Sequence, residues 1–266
     1  MIDGRQWRAE PALAAGLIIA GWLYAMLAGP LRARLAPGQP FPRTQARLFY
    51  GGLALFLLAV NSPFGRAGMD YLFTVHMAQS LVIMYPVAVL VLIGIPGWLA
   101  DAALSLPAVR GIAAWLFRVP VCGGIFVLVV TGLHMPRVYE WGLESPAASA
   151  LEHFALLGAS LFFWWPLANP SGIRPPGSFA GRMVYLFCVE VALTALFTYL
   201  LMADHAVYPS YQFAPRLIPG VSATDDQVLG GILLSAVSSL VLLGALGLSF
   251  RRWAHADKHA FQKPET

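Results

Sequence analysis

Val75-His76-Met77-Ala78-Gln79 lies inside a run, residues 71–100, that carries no aspartate, glutamate, lysine or arginine. That run exceeds the ~20 apolar residues a membrane-spanning helix needs. His76 and Gln79, three residues apart, share one face of such a helix. Polar groups at membrane depth usually line a cavity, pair with one another or hold an ion. The stretch therefore sets the class of fold, and it asks what surrounds the pair.

The rest of the 266-residue chain has the same character. Hydrophobic residues make up 58% and charged residues 11%, against the ~25% charged of a soluble domain; the mean hydropathy is +0.68. The deficit of charge points to an all-α, polytopic integral membrane protein forming one transmembrane helical domain over residues 1–266. The net charge of +4 is no sign of nucleic-acid binding, because the basic residues lie in short loops between apolar runs. Cys122 and Cys188 both fall within apolar segments and form no CxxC pair, so they read as small apolar residues. No serine nucleophile motif, phosphate loop or H-E-x-x-H is present, and the chain is not expected to be an enzyme.

Seven segments are long enough to span: 11–30, 46–63, 70–95, 112–135, 148–169, 182–203 and 226–250. The first is longer than the roughly 7–15 apolar residues of a secretory leader and reads as the first membrane helix. Pro37-Gly38-Gln39-Pro40 and Arg174-Pro175-Pro176-Gly177 read as interhelical turns. The longest connection, 204–225, holds Tyr208-Pro209-Ser210-Tyr211 and reads as a cap folded over the membrane surface. Lysine and arginine mark the cytoplasmic side. Arg32, Arg34, Arg43, Arg47, Arg110, Arg118, Arg174, Arg182, Arg251, Arg252, Lys258 and Lys263 fall on one side, and Arg5, Arg8, Arg66, Arg137 and Arg216 on the other. The imbalance predicts an N-terminus outside and a C-terminus in the cytoplasm.

This orientation places His76, His134, His153 and His205 at or just below the outer surface, with Met69, Met77, Met135 and Met202. His255 and His259 fall in the cytoplasmic tail. His153 follows Glu152 at the start of the fifth segment, at the depth of His76. Two imidazoles on separate helices at one level make the minimal frame of a metal or heme site; an interhelical hydrogen bond is the ordinary alternative. Glu152 has its own explanation, since acidic residues suit a first helical turn. In Thr224-Asp225-Asp226-Gln227 the T-x-x-Q pattern reads as a capping box. Two acids exceed what one cap needs, so Asp226 or Gln227 is expected to face inward toward His76 and His153. Met77 and His134 are the remaining candidate ligands, although a membrane methionine is usually packing and His134 is expected at the surface. Glu190, well inside the sixth segment, is expected to stay protonated, to pair with Arg118 or to have a direct role.

Several words occur in a fixed order: His76-Met77-Ala78-Gln79 with Pro86, then Gly94-Ile95-Pro96, then Leu133-His134-Met135-Pro136. Leu151-Glu152-His153, Phe163-Trp164-Trp165-Pro166, Tyr208-Pro209-Ser210-Tyr211 and Asp226-Gln227-Val228-Leu229-Gly230-Gly231 follow. In this the chain resembles the CtaG family of cytochrome c oxidase assembly factors, seven-helix proteins of bacterial plasma membranes, over about residues 70 to 250. The resemblance implies a role in maturing a heme–copper oxidase, with copper as the bound metal and an oxidase subunit and other assembly factors as partners. Two departures stand out. Ser80 and Ser149 stand where family members commonly carry histidines four residues from His76 and His153. The expected site is thus His76, His153 and Asp226, with Met77 and His134, near the periplasmic surface. A bis-histidine heme between the third and fifth helices, or a metal-free scaffold docking an oxidase subunit, are the alternatives.

Overall fold

Proline sets where the rods of this protein begin and bend. A proline at the first helical positions loses no hydrogen bond, because that N–H has no intrahelical partner anyway. A computed structural model describes residues 10–168, 170–171 and 178–261, with side chains as far as 255. The turn at 174–177, the cations Arg5, Arg8, Arg174 and Lys263, and the side chains of Lys258 and His259 lie outside the described residues.

Among the described residues all regular structure is helical: α1 (Pro11–Ala28), α2 (Arg32–Leu35), α3 (Arg43–Asn61), α4 (Pro63–Asp70), α5 (Phe73–Val82), a π-helical turn (Ile83–Val87), α6 (Ala88–Ile93), α7 (Gly97–Ser105), α8 (Pro107–Leu116), α9 (Val119–Leu133), α10 (Pro136–Glu144), α11 (Pro146–Ala168), α12 (Phe179–Met202), α13 (Pro209–Phe213) and α14 (Ala223–Phe261). Five rods are long and apolar enough to cross a membrane: α1, α5 through α6, α11, α12 and α14 as far as His255. Three bent pairs pass only when each is taken together, α3 with α4 at 46°, α7 with α8 at 108° and α9 with α10 at 70°, which raises the number to as many as eight.

The expected segments recur with corrections at their ends. The segment 112–135 is two helices, α8 and α9. Pro120 lacks the N–H that would bond to Leu116, and its ring would meet that carbonyl; the chain turns at Phe117 and Arg118 instead. Pro63 likewise ends α3 and opens α4 where a loop was expected. The last helix runs well past residue 250.

Pro86 acts differently, for it lies inside a rod. Its missing N–H widens the helix into the π turn, so that the Ala88 N–H reaches Ile83 and Tyr85. The indole N–H of Trp164 on α11 then donates to the Met84 carbonyl at 2.9 Å.

Packing between rods relies on aromatic contacts and close approaches, since in a bilayer no hydrophobic force pulls helices together. Phe126 of α9 stacks on Phe163 of α11. Gly94 lets α6 reach the backbone of α3: a Cβ there would lie 2.5 Å from the Phe49 nitrogen. The Tyr24 hydroxyl of α1 donates to the Gly94 carbonyl at 3.0 Å.

One end of the bundle collects the starts of α5, α11 and α14, the ends of α4 and α9, and the helices α10 and α13. Side-chain hydrogen bonds join these segments: Asp226 to Phe73, His76 to Glu152, Tyr208 to His134 and Tyr211 to Gly68.

Candidate functional site

His76 is buried near the start of α5, and His153 is buried on α11. Their ring centroids are 6.2 Å apart, so the two imidazoles that a shared depth predicted do meet. His76 Nε2 lies 3.1 Å from Glu152 Oε1. His153 Nε2 lies 2.7 Å from Gln79 Nε2. Glu152, explained from sequence by the helix dipole alone, is a buried partner of His76. Room for its carboxylate comes from Gly142 of α10, where a Cβ would lie 2.3 Å from Glu152 Oε2.

The partners fix which nitrogen carries the proton. His153 Nδ1 lies 2.6 Å from the Ser149 carbonyl, which can only accept, so Nδ1–H donates there. Nε2 is then an acceptor and takes an amide N–H from Gln79. Ser149 Oγ also donates to Glu10 Oε1 at 3.1 Å, which ties α11 to the residue ahead of α1. His134 Nδ1 donates to the Val130 carbonyl at 2.7 Å. With Nε2 of His76 donating to Glu152, three buried atoms of this layer have no partner among the described residues: His76 Nδ1, His134 Nε2 and Gln79 Oε1.

His134 was expected at the surface and is buried instead, at 4% exposure. Its ring and that of His76 both pack on Tyr139 of α10, at 6.1 Å and 5.1 Å between centroids. Tyr139, Tyr208, Tyr211 and Phe73 form an aromatic lid, with Tyr139 and Tyr208 stacked at 4.0 Å. The Tyr208 hydroxyl donates to the His134 carbonyl at 2.8 Å, and that of Tyr211 to Gly68 at 2.7 Å. Burial pushes both hydroxyls well above the ordinary tyrosine range, so they remain donors. Tyr208 and Tyr211 of the expected cap, 204–225, therefore roof the histidine layer. Tyr139 was missed from sequence, since an aromatic residue in an amphipathic stretch carries no signal of its own.

Asp226 faces inward as expected but serves another purpose. Oδ2 accepts from the Phe73 N–H at 2.7 Å and Oδ1 from the Thr74 N–H at 3.2 Å. It is the N-cap of α5, supplied from 153 residues away, and Leu72 at the chain's own cap position supplies no side-chain bond. The α14 cap is made by Ser222 and Asp225, not by Thr224 and Gln227: Asp225 N–H donates to Ser222 Oγ and Asp225 Oδ2 accepts from Ser222 N–H. Gln227 accepts from the Val207 N–H and donates to the Leu200 carbonyl. Met77 is buried against Gly230 of α14, where a Cβ would meet its Cγ at 3.2 Å. Met135, Met202 and His205 are exposed. Cys188 is exposed as well, while Cys122 is buried. Among the described residues no three His, Cys, Asp or Glu side chains are grouped so as to hold a metal ion. The structure thus brings together His76, His153 and His134 around Tyr139 and Glu152, and engages Asp226 and Met77 elsewhere.

A bundle of apolar rods with a polar layer buried at one end defines a multi-pass helical membrane protein. The chain belongs to the cytochrome c oxidase caa3 assembly factors: the model of that family matches residues 22–256. It is also similar to uncharacterised proteins of Mycobacterium leprae, 26% identical over 94% of this chain and 40% of that protein, and of Mycobacterium bovis, 25% identical over 97% and 41%. The chain therefore spans about two fifths of the length of these relatives. No solved structure matches it.

Proposed function

We propose that this protein assists assembly of a heme–copper cytochrome c oxidase in a bacterial plasma membrane by holding copper, as cargo, in the histidine layer. The carrying observation is the pair of buried imidazole nitrogens without partners, His76 Nδ1 and His134 Nε2, each on a ring whose other nitrogen is fixed by a hydrogen bond. Ligating histidines are oriented in this manner, the second N–H going to a carboxylate or a backbone carbonyl. Imidazole suits copper, and Glu152 beside His76 supplies negative charge. His153 would join as a third donor on releasing Gln79. Asp226 and Met77 are outside this set, because their contacts lie elsewhere.

Seven crossings fit the meeting of helix ends described above. If α5, α11 and α14 start at the histidine end and α4 and α9 finish there, α7 and α8 enter and leave on the opposite side. The excess of arginine on that opposite side supports a periplasmic histidine layer. A heme fits less well, since Gln79 occupies His153 Nε2 and the two rings stand only 6.2 Å apart.

The test is a Cu(I) competition titration of the purified chain and its His76→Ala, His134→Ala, Asp226→Asn and Met77→Leu variants. Loss of affinity in the first two and not the last two is expected. Equal affinity throughout would sink the copper reading.

A further inference from the structure

A cleft of about 470 Å³ runs between α9 and α12 from the end of the bundle opposite the histidine layer. Both rods start at that end, since α9 finishes at His134 and α12 just ahead of the loop to Tyr208. The floor is a close approach, for a Cβ on Gly123 would lie 2.8 Å from the Tyr185 ring. The walls are apolar, with Val127 and Leu128 on one side and Val184 and Val189 on the other. Gly124 keeps the space open, with nothing within 4 Å of where its Cβ would stand.

The lining runs from Val119 to Leu128 on α9 and from Gly181 to Ala192 on α12. At 1.5 Å per residue these stretches measure about 14 and 17 Å, close to one leaflet, which is half of a ~30 Å hydrocarbon core. The mouth is cationic. Arg118 directly precedes Val119 at the start of α9, and Arg182 follows Gly181. The Arg182 guanidinium lies 5.5 Å from the centre of the Phe179 ring, one turn back toward the start of α12, and its buried Nε has no hydrogen-bond partner. Neither first turn holds an acidic residue, and two helix starts add partial positive charge of their own. The pairing of Arg118 with Glu190 expected from sequence is not formed, since that carboxylate accepts from the Ser239 hydroxyl of α14. Among the described residues no carboxylate pairs with either arginine.

We propose that this cleft seats one acyl chain of an anionic phospholipid, with the headgroup phosphate at Arg118 and Arg182. An apolar trench one leaflet deep fits a chain whose glycerol end lies at the bilayer surface, and basic pockets between membrane helices hold anionic headgroups. Guanidinium suits phosphate because its donors form a planar fork, and the Arg182 Nε is a donor of that kind without an acceptor. Charge selects the lipid: a zwitterionic headgroup would bring a second cation to a mouth that has no carboxylate to receive it.

The experiment titrates the delipidated full chain in detergent micelles with phosphatidylglycerol or phosphatidylcholine of the same acyl chains, and bound lipid is counted by native mass spectrometry. Phosphatidylglycerol is expected to bind at least about tenfold tighter, and Arg118→Ala and Arg182→Ala each to weaken it about fivefold. Gly124→Leu, which fills the cleft from an open position, is expected to abolish it. Two controls should change nothing: Gly132→Leu, at an equally open position of α9 outside the lining, and Arg110→Ala on α8. Circular dichroism shows which variants fold; if Arg182→Ala does not, Arg118→Ala and Gly124→Leu decide. Equal binding of the two lipids, an unchanged affinity in Gly124→Leu, or an equal loss in either control would each overturn the proposal.

Discussion

Replacing Asp226 with alanine tests whether this residue is a cap or a ligand. Its two oxygens accept from the Phe73 and Thr74 N–H groups at 2.7 Å and 3.2 Å, at 2% exposure. Alanine leaves the buried Phe73 N–H and the partly buried Thr74 N–H without an acceptor, at about 1–3 kcal/mol for a buried group and less for the other. A lost N-cap alone costs about 0.5–2 kcal/mol. The expected loss is therefore about 3 kcal/mol, a large share of the ~5–15 kcal/mol that holds a typical domain folded. Asparagine keeps one acceptor and should lose about half as much. Thr74→Ala removes only the bond from Thr74 Oγ1 to the Asp226 carbonyl and should cost about 1 kcal/mol. The measurement is equilibrium unfolding in mixed micelles, followed by tryptophan fluorescence. The order alanine, asparagine, Thr74→Ala is diagnostic. A loss below about 1 kcal/mol for Asp226→Ala, or a fall in Cu(I) affinity with stability unchanged, would refute the capping argument.

Other consequences follow from close contacts. Gly142→Ala puts a Cβ 2.3 Å from Glu152 Oε2; the carboxylate must swing from His76, lowering stability by about 1–3 kcal/mol and Cu(I) affinity about tenfold, both read on the purified chain. Gly94→Ala meets the Phe49 backbone, which cannot yield as a side chain can. It should cost about 3 kcal/mol or more and show as low yield and a lowered unfolding midpoint. Tyr208→Phe loses only the bond to the His134 carbonyl. A loss of about 1 kcal/mol with no change in helix content by circular dichroism is expected.

Much of this molecule is legible in its sequence, because span length and apolar runs are dictated by the bilayer. The level of His76 and His153 followed from counting residues from the helix ends, and their rings are neighbours. The surplus acid at 225–226 correctly marked one inward carboxylate. What that carboxylate holds was not legible, since its partners lie 153 residues away on another helix. Prolines 63, 107, 120 and 136 were visible too, but each opens a helix as readily as it marks a turn. Glu152 was hidden by having a sufficient local explanation. The signal that could have found it is Gly142 of α10, a vacancy that only a partner on another helix would need.

The serine at 149 can be understood from its contacts. Its carbonyl orients His153, and its hydroxyl reaches Glu10. Ser149 has no exposure at all, and Glu10 is buried beside it. An imidazole at this position would need the volume that Glu10 now fills, so a second histidine on α11 and the seated residue before α1 exclude each other sterically. Ser149 thus supplies a hydrogen bond that fastens the start of α1. Ser149→His with Glu10→Ala would restore room for the ring. That double variant should gain Cu(I) affinity where Ser149→His alone loses stability, and a gain in the single variant would show that the two positions are independent.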